Sequence, residues 1–395
     1  MTNTKQTLGK VPFIISLGLI SSGGPIATDI FLPSLPEMPA YFGVSAAAVN
    51  LILTAYFFSQ AVGILLVGPF SDRHGRKKPL GACLAMYIIG GLICALGNSV
   101  WVVIAARVLA GFGGGGLMAL SMALVKECFD GETRQNSLLA VSAITTCAPL
   151  VAPLLGAAIL TFADWRGTFT AQAIIGLAAL PFYLRINETL APEDRTIGSA
   201  LSAFKGMGSM LKSVPLMLMV ITTSLCALGV LAYVTSASYI YIDLFQLPQI
   251  GYSIFFSINA LMGVVFTVLA PKVLKKVSAQ NLVTASYVLT TLGGLTCFFV
   301  GGLSPFVFLG CTLLIVSING ATRPVAVNLA LDMHDGDTGS LSSLINFTFT
   351  LMGCLGSLLI SLPWPNYIFG LGVIAATSSG VALVLWTIMR KAKHI

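Results

Sequence analysis

Apolar residues gather in twelve windows along the chain, separated by short polar turns. The first six cover 11–32, 47–67, 79–96, 100–125, 136–161 and 167–184; the second six cover 214–242, 252–271, 282–302, 305–331, 339–362 and 367–389. A helix needs about 20 apolar residues to cross the hydrocarbon core of a bilayer. Apart from closed barrels, only helices satisfy every backbone N–H and C=O there. The pattern therefore predicts an all-α integral membrane protein with twelve transmembrane helices in two sets of six. The break between the sets, 185–213, carries Glu188, Glu193, Asp194, Arg195, Lys205 and Lys212 and reads as a solvated linker. The expected organisation is an N-terminal six-helix bundle over 1–184, a cytoplasmic linker over 185–213 and a C-terminal six-helix bundle over 214–395.

Composition narrows the function classes. Of 395 residues, 56% are hydrophobic and only 9% charged, against about 25% charged in soluble domains. Water would not solvate such a surface, so a soluble enzyme is excluded; disorder is excluded because it needs low hydrophobicity and high net charge. Twelve spans use roughly 240 residues at about 20 each, which leaves no sizeable soluble domain.

The net charge is +7, and its distribution matters more than its size. With the N-terminus inside, every Lys and Arg except Arg107, Arg166 and Arg323 falls in an inside loop or tail. By the positive-inside rule both termini are expected in the cytoplasm, in a bacterial inner membrane. The excess charge is then topology, and nucleic acid is not an expected partner. The first window is too long for a signal-peptide core and no A-x-A site follows it, so cleavage is not expected. The eight cysteines form no C-x-x-C pair and read as small buried hydrophobes. The three histidines stand far apart. Neither a cofactor nor a metal is expected.

Two charges lie where the membrane tolerates them poorly. Asp29 is the one acid within an apolar run, in SSGGPIATDIFLP, about three residues short of the outer end of the first window. A charge at mid-bilayer costs about 3 kcal/mol on the insertion scale and usually marks a functional cavity. Burial and neighbouring charge both move a carboxyl's titration, so Asp29 is the candidate proton carrier; bracing of the first helix is the structural alternative. Arg107, about seven residues into the fourth window, lies at similar depth and is the expected partner of Asp29. Holding backbone carbonyls is its alternative role. Arg323, near the inner end of the tenth window, is expected to snorkel to the headgroups. The run GFGGGG, 111–116, lacks the Lys-Ser/Thr of a phosphate loop and reads as close helix packing. Arg107, Gly111, Gly114 and Met118 share one helical face, which is expected to line a cavity.

The segment G-P-F-S-D-R-H-G-R-K-K-P-L, 68–80, resembles the signature loop of the major facilitator superfamily at Gly68, Asp72, Arg73, Gly75, Arg76, Lys77 and Leu80. The second half holds only a faint echo, APKVLKK, 270–276, without the Asp. T-D-I-F-L-P-S-L-P, 28–36, is similar to a signature of the Bcr/CflA drug-resistance branch, and A-P-L-V-A-P-L-L-G, 148–156, to that branch's helix-five antiporter motif at Pro149, Pro153 and Gly156. The resemblance implies two six-helix bundles that rock about a site between them. It also implies a proton-driven exporter of small, often hydrophobic drugs, acting as a monomer, that confers antibiotic resistance. Asp29 and Arg107 would then serve proton coupling, and Gly68, Asp72, Arg73, Gly75 and Arg76 a conformational latch. Expected cavity residues are Asp29, Tyr56, Gln60, Met118, Tyr233, Tyr239, Phe256, Asn259, Asn319 and Asn346. Interhelical packing is the alternative for the aromatic residues and Met118, and interhelical hydrogen bonds for the asparagines.

Rival functions are a proton-coupled uptake symporter of a small nutrient and a membrane receptor that never transports. The helix-five motif argues against the first, the two buried charges against the second. A membrane enzyme ranks last, since no triad, metal cluster or carboxylate pair is visible.

Overall fold

A computed structural model describes residues 9–195, 210–333 and 338–392. Of the predicted linker, residues 196–209 with Lys205 lie outside the described residues; so do Lys5, His334, Asp335, Asp337, Lys393 and His394. The described residues form only helices and connecting turns. Eleven of these helices are long and apolar enough to cross a membrane, and a bent pair, Lys10–Ser21 with Gly23–Phe42, supplies a twelfth span. All twelve sequence windows coincide with these elements.

The first span is α1 (Lys10–Ser21), α2 (Gly23–Asp29), a 3₁₀ turn (Leu32–Glu37) and α3 (Met38–Phe42). Its apolar window ends near residue 32, whereas the span bends by 43° and continues to Phe42. Asp29 is therefore the last residue of α2, well inside the span rather than near its outer end. The bend has a local cause. Pro25 brings no N–H to the ladder, and the Ser22 hydroxyl donates back to the Gly18 carbonyl at 2.7 Å, a bond that favours helix bending.

Next come α4 (Ala46–His74), α5 (Lys77–Leu96), α6 (Val100–Cys128), α7 (Gly131–Ile159) and a sixth span of α8 (Trp165–Ala178) and α9 (Leu180–Arg185), broken before Pro181. In the second half, α10 (Val214–Ser238) ends in a π-helical turn (Tyr239–Leu244). It is followed by α11 (Gln249–Leu274) and α12 (Ala279–Val300). The tenth span is α13 (Pro305–Thr312), a π turn (Leu313–Ser317) and α14 (Ile318–Asp332); α15 (Thr338–Ile360) and α16 (Tyr367–Lys391) complete the chain.

The chain divides into two compact units: Met1–Ser34 with Ala55–Ala203, and Leu35–Thr54 with Phe204–Ile395. In the first, the glycine run packs α6 against its neighbours. A Cβ at Gly111 or Gly115 would strike the α4 backbone at Tyr56 or Gln60, and one at Gly113 the α5 backbone at Cys83. The face of Gly111 and Gly114 is filled by Ser59 and Tyr56, so it is a packing seam and not the expected cavity wall. Close backbone approach gains dispersion and weak polar contacts, which drive helix association where lipid is as apolar as the side chains. In the second unit, a hydroxyl chain runs from Thr235 to Ser357 (2.9 Å) and on to Thr54 (2.9 Å). Asn50 donates to Ser361 at 3.0 Å. These bonds tie the start of α4 to α15.

Candidate functional site

At the break of the first span, three side chains from three other helices take its carbonyls. Tyr87 of α5 donates to Gly23 O at 2.9 Å, Tyr56 of α4 to Gly24 O at 3.3 Å and Arg107 of α6 to Ala27 O at 3.0 Å. All three side chains are essentially inaccessible. A bend that frees backbone acceptors in hydrocarbon must have them met by neighbours, and here they are met immediately beside Asp29.

Asp29 is 6% exposed. The Thr28 hydroxyl lies 3.0 Å from its Oδ1 and 2.8 Å from Pro25 O, so its single proton serves one or the other. The four ion pairs among the described residues all lie elsewhere. The expected Asp29–Arg107 ion pair is thus absent. Instead, Arg107 donates from Nη1 to Ala27 O and to Gln172 Oε1, the latter at 3.2 Å. Its Cζ stands 4.0 Å from the Tyr56 ring centroid, 4.9 Å from that of Phe31 and 5.7 Å from that of Phe169. Ring faces stabilise a desolvated cation, and a carbonyl and an amide complete its site without a carboxylate. Its Nε and Nη2 have no acceptor. Tyr56 remains within electrostatic reach of both charges.

Gln60, also from α4, reaches Met118 Sδ on α6 at 3.5 Å, and both crowd Gly24. The helix-five motif joins the site from the other side. Pro149 and Pro153 lie inside α7, and Gly156 sits so close to Ile30 that a Cβ there would collide with the Ile30 carbonyl oxygen. Only a glycine lets α7 approach the residue following Asp29. In the first half, then, Asp29, Arg107, Tyr56, Gln60, Met118 and Gly156 converge on one stretch of the first span.

The second-half candidates lie in the other unit and do not form one cluster. Tyr233 stacks on Phe256 with centroids 5.6 Å apart, and Tyr239 on Tyr367 at 5.1 Å. Asn259 donates to Thr312 at 2.7 Å and accepts from Ser317 at 2.7 Å. Asn319 donates to Ile315 O at 2.7 Å and Thr290 at 3.1 Å. Thr312 and Ser317 bracket the π turn of the tenth span, where the ladder is interrupted and side chains take over the bonding. Asn259 and Asn319 therefore make the interhelical bonds weighed as their alternative. Asn346 is exposed and accepts from Arg323 Nη2 at 2.7 Å. Arg323 also stacks on Phe349, 3.7 Å from its ring centroid. Its expected extension to the headgroups is corrected: an amide and a ring within the span hold it.

The signature segment is mostly helix rather than loop. Gly68, Asp72 and Arg73 belong to the last turns of α4, and only Gly75 and Arg76 separate α4 from α5. Arg76 is the hub. It pairs with Asp72 at 2.5 Å and Glu127 at 2.6 Å, and its backbone N–H donates to Glu188 Oε1 at 2.6 Å. Glu188 also accepts from the Lys77 N–H at 3.1 Å, and Thr189 donates to Glu127 at 2.6 Å. Gly75, at φ +88°, is left-handed, and a Cβ there would run into the Glu188 carboxylate. Arg73 is exposed and pairs with no carboxylate among the described residues. Partial burial of Glu188 opposes its charge, yet the N–H groups of Arg76, Leu190 and Lys77 and the Arg195 charge together hold its carboxyl below the usual range.

Sequence reasoning missed Tyr87, Gln172, Phe31 and Phe169 around Arg107, and Glu127, Glu188 and Thr189 around Arg76. Gln172 carried a signal, since an amide in an apolar window needs a partner. The aromatic residues carried none, because a ring that cages a cation and a ring that fills a core have the same pattern in sequence.

A sequence model of the Major Facilitator Superfamily matches residues 17–357. An uncharacterized MFS-type transporter, YdgK of Bacillus subtilis, is 32% identical over 353 residues, covering 88% of this chain and 87% of that protein. A bicyclomycin resistance protein homolog of Haemophilus influenzae is 28% identical over 89% of both chains. The multidrug resistance protein MdtL of Shigella flexneri is 26% identical over 69% of both. Among solved structures, a bacterial homolog of the human lysosomal transporter Spinster superposes with a TM-score of 0.77 at 12% identity, covering 96% of this chain and 97% of that one. The Escherichia coli xylose transporter XylE, in a partially occluded inward-open conformation, does so with 0.73 at 16% identity, covering 96% and 98%. At these identities the two structures are like this chain in fold alone.

Proposed function

The chain belongs to the major facilitator superfamily and is a multi-pass membrane transporter, not an enzyme, and from that premise we propose that it exports small hydrophobic drugs or metabolites in exchange for protons. The names of the bicyclomycin-resistance and multidrug-resistance relatives support export as the direction. The observation that carries the coupling is Asp29: a buried carboxyl, at the end of a broken helix, held by one hydroxyl and by no ion pair.

A proton arriving at Asp29 changes the charge inside the first half by a full unit, because among the described residues no cation pairs with it. Arg107 is fixed on the carbonyl of Ala27, two residues earlier on the same chain segment, so that change acts directly on the grip holding the first span. Tyr56 links the two, with its ring under Arg107 and its hydroxyl on Gly24. In the proposed cycle Asp29 takes a proton on the outer side as cargo leaves and releases it to the cytoplasm as cargo enters. Inward movement of one proton is favoured by about 2.3 kcal/mol per 100 mV of membrane potential, plus the pH gradient. Cargo shifts the equilibrium only by binding the two states unequally. The Arg76 hub, tying α4, α5, α6 and the start of the linker, is the proposed conformational latch. The proposed setting is the inner membrane, with both termini in the cytoplasm.

The test is transport into everted vesicles under an imposed pH gradient, comparing the intact protein with Asp29→Asn. Asn keeps the shape and deletes the titration. Gradient-driven transport is expected to vanish while cargo binding is partly retained. Full active transport by the variant overturns the assignment, and accumulation that follows protons inward rather than opposing them converts the exporter to an uptake symporter.

A further inference from the structure

Of the two arginines deep within the apolar windows, Arg107 is closed off. It is wholly inaccessible, and rings and acceptors of its own unit surround it. Arg323 is different. It lies nine residues before the end of α14 at Asp332, roughly 14 Å along the axis at about 1.5 Å per residue. That is deep for a side chain that has not reached the headgroups. Its partner Asn346 lies eight residues into α15, at matching depth on the antiparallel neighbour.

The exposed faces around the pair are unlike those that meet lipid. On α11 and α12 the exposed large residues include Leu261, Val265, Val268, Leu292, Leu295 and Phe299. On α14, Gly320, Pro324 and Asn328 are exposed around the half-buried Arg323, and on α15 the exposed residue beside it is Asn346. Ionisable side chains within spans face a protein interior or water, not acyl chains. This face therefore borders the protein interior or an aqueous path.

Among the described residues, no carboxylate pairs with the Arg323 guanidinium. Of the five N–H donors of a guanidinium, one is used on Asn346, and the buried Nε has no acceptor among the described residues. Phe349 lies beneath it, with Cζ 3.7 Å from the ring centroid. A guanidinium held by a ring below and an amide at one edge presents a planar fork, the geometry that matches a carboxylate or sulfonate bidentately.

We infer that Arg323, aimed by Asn346 and Phe349, anchors an acidic group on the cargo, so that the cargo class is small amphiphilic anions with a carboxylate or sulfonate. This rests on the transporter reading above and adds its substrate class. Lipophilic cations are disfavoured by the same charge.

The test is fluorescence titration of purified protein in detergent with three probes sharing one fluorophore: dansylglycine, its methyl ester and dansylcadaverine. They present an anion, a neutral group and a cation. The intact protein is expected to bind the acid about tenfold tighter than the ester and the amine most weakly, the size of a charge-assisted hydrogen bond. Arg323→Gln is expected to weaken the acid about tenfold and leave the ester within about twofold, which also shows that the variant is folded. Arg323→Lys keeps the charge without the fork and is expected to fall between the two; Asn346→Leu, which removes only the aiming bond, is expected to do the same. The inference is overturned if the acid keeps its advantage in Arg323→Gln. It is also overturned if ester or amine binds the intact protein as tightly as the acid, or if no probe binds protein that still exports. Binding in detergent needs no gradient, so it is independent of the vesicle test. Absence of acid preference in the intact protein, together with an inactive Asp29→Asn, sinks the cargo class alone; acid preference in the intact protein with a fully active Asp29→Asn sinks the coupling alone.

Discussion

The Tyr56 ring lies under the Arg107 guanidinium, 4.0 Å from Cζ to centroid, while its hydroxyl reaches the Gly24 carbonyl at 3.3 Å. One side chain on α4 thus holds both the cation and the broken backbone next to Asp29. A cation–π contact between desolvated groups is worth about 2 kcal/mol, a neutral hydrogen bond about 1 kcal/mol.

Separating those contributions gives a first prediction. Tyr56→Phe keeps the ring and drops the hydroxyl, and is expected to cost about 1 kcal/mol of stability. Tyr56→Leu drops both and is expected to cost about 3 kcal/mol in total. Denaturant unfolding of purified protein in detergent measures the difference. Equal losses for the two variants would show that the ring face contributes nothing to holding Arg107.

Among the described residues, Gln172 is the one side chain that accepts from Arg107. Gln172→Leu leaves a buried Nη1 with the Ala27 carbonyl alone and is expected to destabilise the first unit by about 1–3 kcal/mol. Gln172→Glu substitutes a buried carboxylate beside the guanidinium. It is expected to restore stability and reduce gradient-driven transport, since a fixed negative charge then answers Arg107 whatever the state of Asp29. Thermal unfolding paired with vesicle transport separates the two effects.

Gly156 meets the Ile30 carbonyl with no room for a methyl group. Gly156→Ala is expected to push α7 off the first span at a cost of about 1–3 kcal/mol and to impair export strongly. Gly380→Ala is the control, since nothing lies within 4 Å of a Cβ there. Undiminished export by Gly156→Ala would show that the close approach beside Asp29 is not needed for the cycle.

Glu188 caps the start of α5 and holds the beginning of the linker to the Arg76 hub. Its folded carboxyl titrates below the usual range. The stability it contributes is therefore present above the ordinary carboxylate pKa and is lost as pH falls through its depressed value. Neutral and mildly acid conditions are expected to leave this contact intact. Glu188→Gln is expected to raise proteolytic nicking of residues 186–195 at neutral pH, and to abolish any acid-induced rise in nicking shown by the intact protein. Identical pH profiles for the two proteins would remove Glu188 from the latch.

Twelve apolar windows, the signature between the second and third and the isolated acid at Asp29 were all legible in the sequence, because membrane insertion is decided locally. Each span must be long and apolar enough to satisfy bilayer thickness on its own, and an acid inside one stands out without knowledge of its neighbours. Partnership is not local in this way. Asp29 and Arg107 are the obvious pair on charge alone, yet the fold gives Arg107 a carbonyl, an amide and three rings, and leaves Asp29 with Thr28. That outcome depends on where a 43° bend exposes Gly23, Gly24 and Ala27, and on glycines that bring α4, α5 and α6 within reach of it. Arg323 was placed correctly along the chain and assigned the wrong surroundings for the same reason. A helix's own residues set its depth in the membrane, but whether a side chain there meets headgroups, lipid or an amide on the next helix is decided only when the helices pack.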